Sequence, residues 1–182
     1  LEKGDVAGAA WRRLYDSLTL HTAKHLSTLP DMTFPKTTPL FVPKDTFLEY
    51  LDEYVSHFKL SIKTSCEVQS LEKENGKWLL KTNGKDLSCD KVVIATGLIS
   101  APKSPTFDGQ DSFGGEILHS VHYKNPDPFR DKKILVVGVG NSGGEIASEL
   151  ARAGVDVCIA VRSGARNVPL KMAGIPIQYF GY

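Results

Sequence analysis

The pattern of hydrophobic and polar positions is clearest between Lys132 and Arg162. Apolar residues run from Ile134 to Val137 and predict a short strand, and a glycine-rich turn follows directly. The next residues have the spacing of an amphipathic helix, and a second β-branched stretch ends at Arg162. The pattern therefore predicts one continuous unit of strand, turn, helix and strand.

The first third of the chain has a weaker pattern. Residues 6–35 show no sustained period, so Gly8 and the alanines beside it predict a loop. Four prolines predict an irregular, extended segment, because each removes a backbone donor and restricts the residue before it; they are Pro30, Pro35, Pro39 and Pro43. Apolar residues at helical spacing within 47–58 predict a helix that buries one face, with Asp45 as its cap.

The middle of the chain has the pattern of strands. Residues 65–74 and 77–83 predict two strands joined by a tight turn at Asn75-Gly76, and Asn83-Gly84 predicts a second turn. The apolar run in 90–97 predicts a strand buried on both faces. Residues 98–129 are rich in proline and glycine, and predict a connector and the sharpest domain boundary.

The glycine spacing gives the strand–turn–helix unit a chemical meaning. Residues 138–143 fit G-x-G-x-x-G, which is informative when a strand precedes it and a helix follows. Gly138 permits the tight turn, Gly140 lets the backbone approach a pyrophosphate, and Gly143 lets the helix pack close to the strand. Asn141 and Ser142 would begin the helix, whose free N–H groups and dipole favour phosphate.

The end of the second strand indicates which dinucleotide binds there. Units that bind NAD have an acidic residue about 20 residues beyond the glycines, where it bonds the ribose 2′-hydroxyl. This chain has Arg162 at that point, and Arg166 follows. An arginine pairs with a 2′-phosphate, so the unit is predicted to prefer NADPH to NADH. The alternative is that Arg162 is only a solvated surface charge.

Composition narrows the classes of partner. The formal net charge of +1 gives no bulk electrostatic reason to expect a nucleic-acid or membrane partner, and the 41% hydrophobic content favours a packed core. No apolar run approaches the roughly 20 residues of a transmembrane helix. The three cysteines have no metal or redox spacing, which favours free thiols in the cytoplasm. His21 and His25 could share a helix face, but no third ligand is evident, so no metal site is predicted.

Four features together give the chain a resemblance to the flavin-containing monooxygenases, a family that includes the plant YUCCA-type enzymes and their fungal and bacterial relatives. Residues 113–123 fit the family signature F-x-G-x-x-x-H-x-x-x-Y, and the glycine turn at 138–143 resembles the family's NADPH motif. Ala95-Thr96-Gly97 resembles its A-T-G linker motif. Residues 1–24 are similar to the segment after the second strand of its FAD domain. The resemblance covers essentially the whole chain.

The resemblance implies an α/β fold with two Rossmann-like dinucleotide-binding domains, the NADP domain being inserted into an FAD domain that is incomplete here. Residues 1–112 would belong to the FAD domain, 113–129 to a linker with the family signature, and 130–182 to part of the NADP domain. The glycine motif that holds the FAD pyrophosphate in the family has no counterpart before Gly138. The family would place it upstream of residue 1, so we expect the 182-residue chain alone to be colourless and to oxidise no NADPH.

The resemblance also implies the cofactor-binding residues. Glu2 would hold the FAD ribose, and other residues would lie along FAD; these are Trp11, Arg12, Thr96 and Gly97. NADPH would be held by the turn, the start of the helix and the arginine; these are Gly138, Gly140, Asn141, Ser142, Gly143 and Arg162. His119 and Tyr123 would help to fix the domain junction and the NADPH side. The alternative for His119 and His122 is a hydrogen-bonded structural histidine.

The implied activity is oxygenation of a small organic substrate with NADPH and O₂ through a C4a-(hydro)peroxyflavin. The substrate would be a nitrogen or sulfur nucleophile, a ketone in a Baeyer–Villiger reaction, or a 2-oxo acid. No catalytic side chain is predicted, because the cofactors supply the chemistry. Two alternatives remain: a truncated, non-catalytic remnant, and a flavin disulfide reductase relative, for which Cys66, Cys89 and Cys158 lack the required spacing.

Overall fold

The computed structural model describes residues 1–97, 101–165 and 168–180. In chain order its helices and strands are α1 Ala9–Arg12, β1 Thr19–Ala23, β2 Phe41–Pro43, α2 Lys44–His57, β3 Val68–Glu74, β4 Lys77–Thr82, β5 Leu87–Cys89, β6 Lys133–Val137, α3 Asn141–Arg152, β7 Asp156–Ala160, β8 Lys171–Met172 and β9 Ile175–Pro176. Short 3₁₀ helices lie at Lys24–Leu26, Gln110–Ser112, Ser120–His122, Asp127–Phe129 and Ile177–Phe180.

The chain divides into two compact units. The first contains Leu1–Arg13 and Lys44–Lys103, and the second contains Leu14–Pro43 and Ser104–Tyr182. The sequence predicts a different division, in which the FAD-binding domain ends at residue 112 and a linker begins at residue 113. This assignment of cofactor domains stays a prediction. The described residues of the predicted connector, 101–129, contain only short 3₁₀ turns, as their composition indicated.

Helix α2 of the first unit has 14 residues, and it confirms the helix predicted from the spacing of apolar residues. Its apolar face is buried at Phe47 and Leu48, and the rings of Trp11 and Phe47 pack edge to face with centroids 4.7 Å apart. Asp45 is not the cap: the helix begins at Lys44, so Asp45 lies in the first turn, where its charge complements the helix dipole. The predicted loop before Trp11 is wrong, because residues 9–12 form α1.

The antiparallel sheet of the first unit has the order β3-β4-β5. Asn75 and Gly76 both have positive φ, 49° and 82°, which is the backbone of a type I′ turn between β3 and β4. A second connection, which contains Asn83 and Gly84, leads to β5. The predicted hairpin and second turn are therefore confirmed.

The predicted strand at 90–97 is wrong, since residues 91–97 have no regular secondary structure. Val93 and Ile94 are 88% and 74% exposed. A strand that is buried on both faces needs a hydrogen-bonded neighbour and packed layers above and below it. The residues that the structure describes supply no such neighbour for this run.

The second unit contains a two-stranded antiparallel sheet that the sequence pattern did not reveal. Strand β1 pairs with β2, and the register shifts between Thr19 and Ala23. Lys24 follows β1, and its ammonium group donates to the carbonyl oxygens of Pro35, Lys36 and Thr38 at 3.3, 3.0 and 2.6 Å. The Lys24 ammonium thus holds residues 35–38 of the proline-rich segment through their carbonyl oxygens.

The predicted strand–turn–helix–strand unit is confirmed in the second unit. Strands β6 and β7 are parallel neighbours, with Val137 opposite Ala160, and α3 connects them. Alternate β6 residues Ile134 and Val136 pack with α3 residues Ile146 and Leu150 in the core of this unit. The α/β class is therefore confirmed, and no helix among the described residues is both long and apolar enough to cross a bilayer.

Candidate functional site

The glycine turn between β6 and α3 has the backbone that the sequence predicts. Gly138 has φ 100°, in the left-handed region where a side chain is strained. Its N–H donates to the carbonyl of Ala160 at 2.9 Å, so the turn begins directly where the β6–β7 ladder ends. This bond therefore fixes the start of the glycine turn to the end of β7.

Gly143 is required by close packing. A methyl group at Gly143 would come within 2.3 Å of the Gly138 carbonyl oxygen, and a real Cβ atom does not approach backbone so closely. At Gly140, by contrast, no described residue other than its chain neighbours comes within 4 Å of an added Cβ, so the backbone there is open to an approaching group. Within this motif, Gly143 is therefore needed for close packing, and Gly140 leaves the backbone accessible to a ligand.

The start of α3 presents backbone donors beside this open position. Gly140 is the N-cap and has no side chain with which to cap the helix, while Asn141 and Ser142 are exposed. The first N–H groups of a helix have no partners within the helix, and they carry the positive end of its dipole. The residues present therefore fit the pyrophosphate of a dinucleotide at this turn.

Arg162 lies at the same edge of the β6–β7 sheet as the glycine turn. It follows Ala160, the last residue of β7, by two positions, and it is exposed. The carboxyl ends of parallel neighbours meet at one edge, which is where ligands bind in open α/β sheets. Arg166, the second predicted arginine, lies outside the described residues.

The residues predicted to lie along FAD occur in the first unit, and three of them are already engaged in its fold. The carboxylate of Glu2 accepts a hydrogen bond from the Gly4 N–H at 2.7 Å. Trp11 packs on α2, as described above, and the guanidinium of Arg12 pairs with Asp52 of α2. Trp11 and Arg12 are thus brought together on α1, and their roles toward FAD stay predictions.

Thr96 and Gly97 are exposed at the end of the apolar run. Gly97 has φ 76°, a conformation that favours glycine. No regular element within the described residues contains this pair, and its place beside FAD stays a prediction.

The family signature at 113–123 has a local structural role in the second unit. The His119 ring accepts a hydrogen bond from the Val121 N–H at 3.2 Å and so caps a 3₁₀ turn. Tyr123 is buried in the core and donates to Glu149 of α3 at 2.8 Å. These contacts favour the structural interpretation of His119, while His122 lies exposed in the turn that His119 caps.

Sequence reasoning missed a polar cluster on α3. The Glu145 carboxylate accepts a hydrogen bond from the Tyr15 hydroxyl through Oε2, and it bonds to His21 Nε2 through Oε1. Tyr15 and His21 precede Glu145 by more than a hundred residues, so no spacing rule joins them. The only available signal was Glu145 and Glu149 at positions i and i+4, on one helix face.

Burial and the two carboxylates keep both buried tyrosines neutral. Burial raises the pKa of Tyr15 well above its ordinary value, and the hydrogen bond to Glu145 raises it further. Burial likewise raises the pKa of Tyr123, with the bond to Glu149 as the second cause. Neither hydroxyl is therefore suited to act as a general base, and both serve as hydrogen-bond donors.

The other polar candidates have structural partners. His21 bonds to Glu145, and the His25 ring stacks on Tyr179 at 5.3 Å. Within the described ranges, no three His, Cys, Asp or Glu residues lie together as a metal site would require. Cys66, Cys89 and Cys158 are free thiols.

Comparisons with known proteins identify the family to which the chain belongs. The model of the flavin-binding monooxygenase-like family matches residues 4–176. Among curated proteins, the chain is 36% identical over 180 residues to "Probable indole-3-pyruvate monooxygenase YUCCA1" of Arabidopsis thaliana, covering 96% of this chain and 44% of that protein. It is 37% identical to flavin-containing monooxygenase 1 of Mus musculus, covering 90% of this chain and 35% of that protein.

A solved structure gives the same result at the level of the fold. The flavin-containing monooxygenase from Stenotrophomonas maltophilia superposes with a TM-score of 0.81 at 26% identity, covering 87% of this chain and 48% of that one. The chain thus spans less than half the length of these relatives, and it shares the Rossmann-type fold of the solved structure. On this evidence the chain belongs to the flavin-binding monooxygenase-like family.

Proposed function

We propose that the protein is an NADPH- and FAD-dependent monooxygenase that uses O₂ to oxygenate a small organic substrate. One observation supports this proposal above the others. In a chain of the flavin-binding monooxygenase-like family, the glycine turn at 138–143 has an open backbone at Gly140, and Arg162 lies at the same sheet edge. The three free thiols favour a reducing compartment such as the cytoplasm.

The residues of the second unit would bind and orient NADPH. The Gly140 backbone and the first N–H groups of α3, at Asn141 and Ser142, would accept the pyrophosphate, while Gly143 holds the helix against the strand. Arg162 would pair with the 2′-phosphate, which NADH lacks. Bound in this way, NADPH would present its nicotinamide in one orientation.

The first unit would contribute to the FAD site through Glu2, Trp11, Arg12, Thr96 and Gly97. Flavin supplies the electron transfer and O₂ activation that protein side chains lack, and the protein supplies orientation and exclusion of water. In this proposal Glu2 would exchange the Gly4 N–H for a ribose hydroxyl. Arg12 would keep α1 on α2 through Asp52, so its contribution would be to hold Trp11 in place.

The test of the NADPH site is Arg162→Ala in the full-length protein. Loss of a charge-assisted contact of about 1.5–3 kcal/mol should weaken NADPH affinity by about 10- to 100-fold. NADH affinity should change by less than about threefold, since NADH has no 2′-phosphate for Arg162 to bind. Titration of both nucleotides into the flavin-loaded protein gives the ratio directly.

The matched control is Arg152→Ala, which removes an exposed arginine from the last turn of α3, away from the glycine turn. It should leave the ratio of NADPH to NADH affinity unchanged. Equal loss of both affinities in Arg162→Ala would show that Arg162 does not bind the 2′-phosphate, and the NADPH assignment would then fail.

The substrate class is best determined with a panel of three chemical types. Indole-3-pyruvate is the substrate named for one relative of this chain, and it represents the 2-oxo acids. A thioether and a cyclic ketone represent sulfur oxidation and Baeyer–Villiger insertion. The proposal expects NADPH consumption coupled to one oxygenated product, whereas NADPH consumption without any oxygenated product across the panel would count against it.

A further inference from the structure

Glu145 lies on α3 close to the glycine turn. It lies two residues after Gly143 and five after the N-cap, or about 7.5 Å along the helix from the turn. The backbone of Glu145 is thus about one Debye length, about 8 Å, along the axis from an anion bound at the N-cap. The charge of its carboxylate would therefore repel the phosphate that the turn is built to accept, unless the charge is shared with hydrogen-bond donors.

The structure supplies two donors, and both come from one distant segment. Tyr15 is 5% exposed and donates to Oε2, while His21 of β1 bonds to Oε1 through Nε2. We call Tyr15, His21 and Glu145 the Glu145 cluster. It attaches the segment that contains β1 to the first half of α3, on the side of the glycine turn.

A second tyrosine makes a comparable bond one helical turn farther from the glycines. Tyr123 donates to Glu149, four residues after Glu145. Tyr15 and Tyr123 belong to the same core, and their ring centroids are 6.3 Å apart. The two tyrosines therefore have similar burial and similar bonds, but they differ in their distance from the turn.

We infer that the Glu145 cluster positions the start of α3 for the dinucleotide phosphate and offsets the charge of Glu145 beside it. Tyr15 and His21 are thus positioning residues for the NADPH site, not groups that touch the cofactor. The inference rests on the proposed function, because it requires the phosphate to bind at this turn. The bond between Tyr123 and Glu149 stabilises the same helix but lies too far along it to act on the phosphate. In this inference Tyr123 therefore serves the packing of α3, and the NADPH-side role that the resemblance implies for it would not extend to phosphate binding.

The test compares Tyr15→Phe with Tyr123→Phe in the full-length protein, using NADPH oxidation with substrate and thermal unfolding. Each variant removes one hydroxyl and keeps the ring, so both should lower the thermal midpoint by a similar number of degrees. Tyr15→Phe should raise KM for NADPH about tenfold, which corresponds to about 1.4 kcal/mol, with little change in kcat. Tyr123→Phe should raise that KM by less than about twofold.

A second variant keeps the inference testable should Tyr15→Phe fold poorly. His21→Ala removes the other donor from a side chain that is partly exposed, and it should raise KM for NADPH in the same way. Equal KM values in Tyr15→Phe and Tyr123→Phe, or a larger effect in Tyr123→Phe, would overturn the positioning role.

Ser142→Asp separates this inference from the proposed function. It introduces a negative charge into the turn itself, so it should abolish NADPH binding wherever the turn is the phosphate site. If Ser142→Asp leaves NADPH affinity unchanged, the proposed function is wrong. If Ser142→Asp blocks binding while Tyr15→Phe and His21→Ala have no effect on KM, only the role of the Glu145 cluster is wrong.

Discussion

Gly143 and Gly144 are adjacent in α3, yet an added methyl group meets different surroundings at each. At Gly143 it would lie 2.3 Å from the Gly138 carbonyl oxygen, whereas at Gly144 no tertiary neighbour in the described part of the chain comes within 4 Å. The first glycine therefore serves tertiary packing. The second only lowers the helix propensity, because glycine loses more backbone entropy in a helix than alanine does.

We expect Gly143→Ala and Gly144→Ala to change stability in opposite directions. Gly143→Ala should lower the free energy of unfolding by about 1–3 kcal/mol, since the helix has to move away from the strand. Gly144→Ala should raise it by about 0.5–1 kcal/mol. Denaturant midpoints measured under one set of conditions give both values, and a stable Gly143→Ala variant would show that close packing is not the function of Gly143.

At this scale the sequence predicted what local geometry determines. Gly138, Gly140 and Gly143 were predictable because their spacing is set by one turn and the start of one helix. Tyr15 and Glu145 were not, because their hydrogen bond depends on how two distant segments pack. Arg162 was predicted from its position after a strand, and its role in NADPH binding stays a prediction.

The elements show the same division between local and distant causes. The hairpin of β3 and β4 was predictable, because Asn75-Gly76 supports its positive φ angles without outside help. Helix α2 followed from the spacing of its apolar residues. Strands β1 and β2 were missed, since their pairing joins segments on either side of an irregular, proline-rich stretch. The run at 90–97 was wrongly predicted, because hydrophobicity alone does not supply a neighbouring strand.

The turn of this hairpin can be tested with two glycines in the same sheet. Gly76 has φ 82°, so Gly76→Ala should cost roughly 1–2 kcal/mol of unfolding free energy. Gly84 lies outside the left-handed region, and an added methyl group would make only an ordinary contact, 3.9 Å from Thr82. Gly84→Ala should therefore change the free energy by no more than about 0.5 kcal/mol. Equal denaturant midpoints in the two variants would contradict the assigned turn type.

At the scale of the whole molecule, two dinucleotides need two phosphate sites. The chain contains one G-x-G-x-x-G sequence, at 138–143, and that turn is well formed between β6 and α3. In the first unit, where the predicted FAD residues lie, the apolar run with Val93 and Ile94 is exposed. The chain spans 44% of one curated relative and 35% of another. The activity of the family is therefore a proposal for this protein.

We therefore expect the 182-residue chain by itself to bind NADP⁺ but not to retain FAD. After incubation with excess FAD and gel filtration, its visible flavin absorbance should be at background, because the pyrophosphate of FAD has no second glycine turn to bind. NADP⁺ should still give a saturable titration, and this binding would show that the polypeptide is folded. Ser142→Asp should abolish the binding. Recovery of one FAD per chain would mean that the first unit holds flavin without a glycine motif, and our assignment of one dinucleotide site would then be wrong.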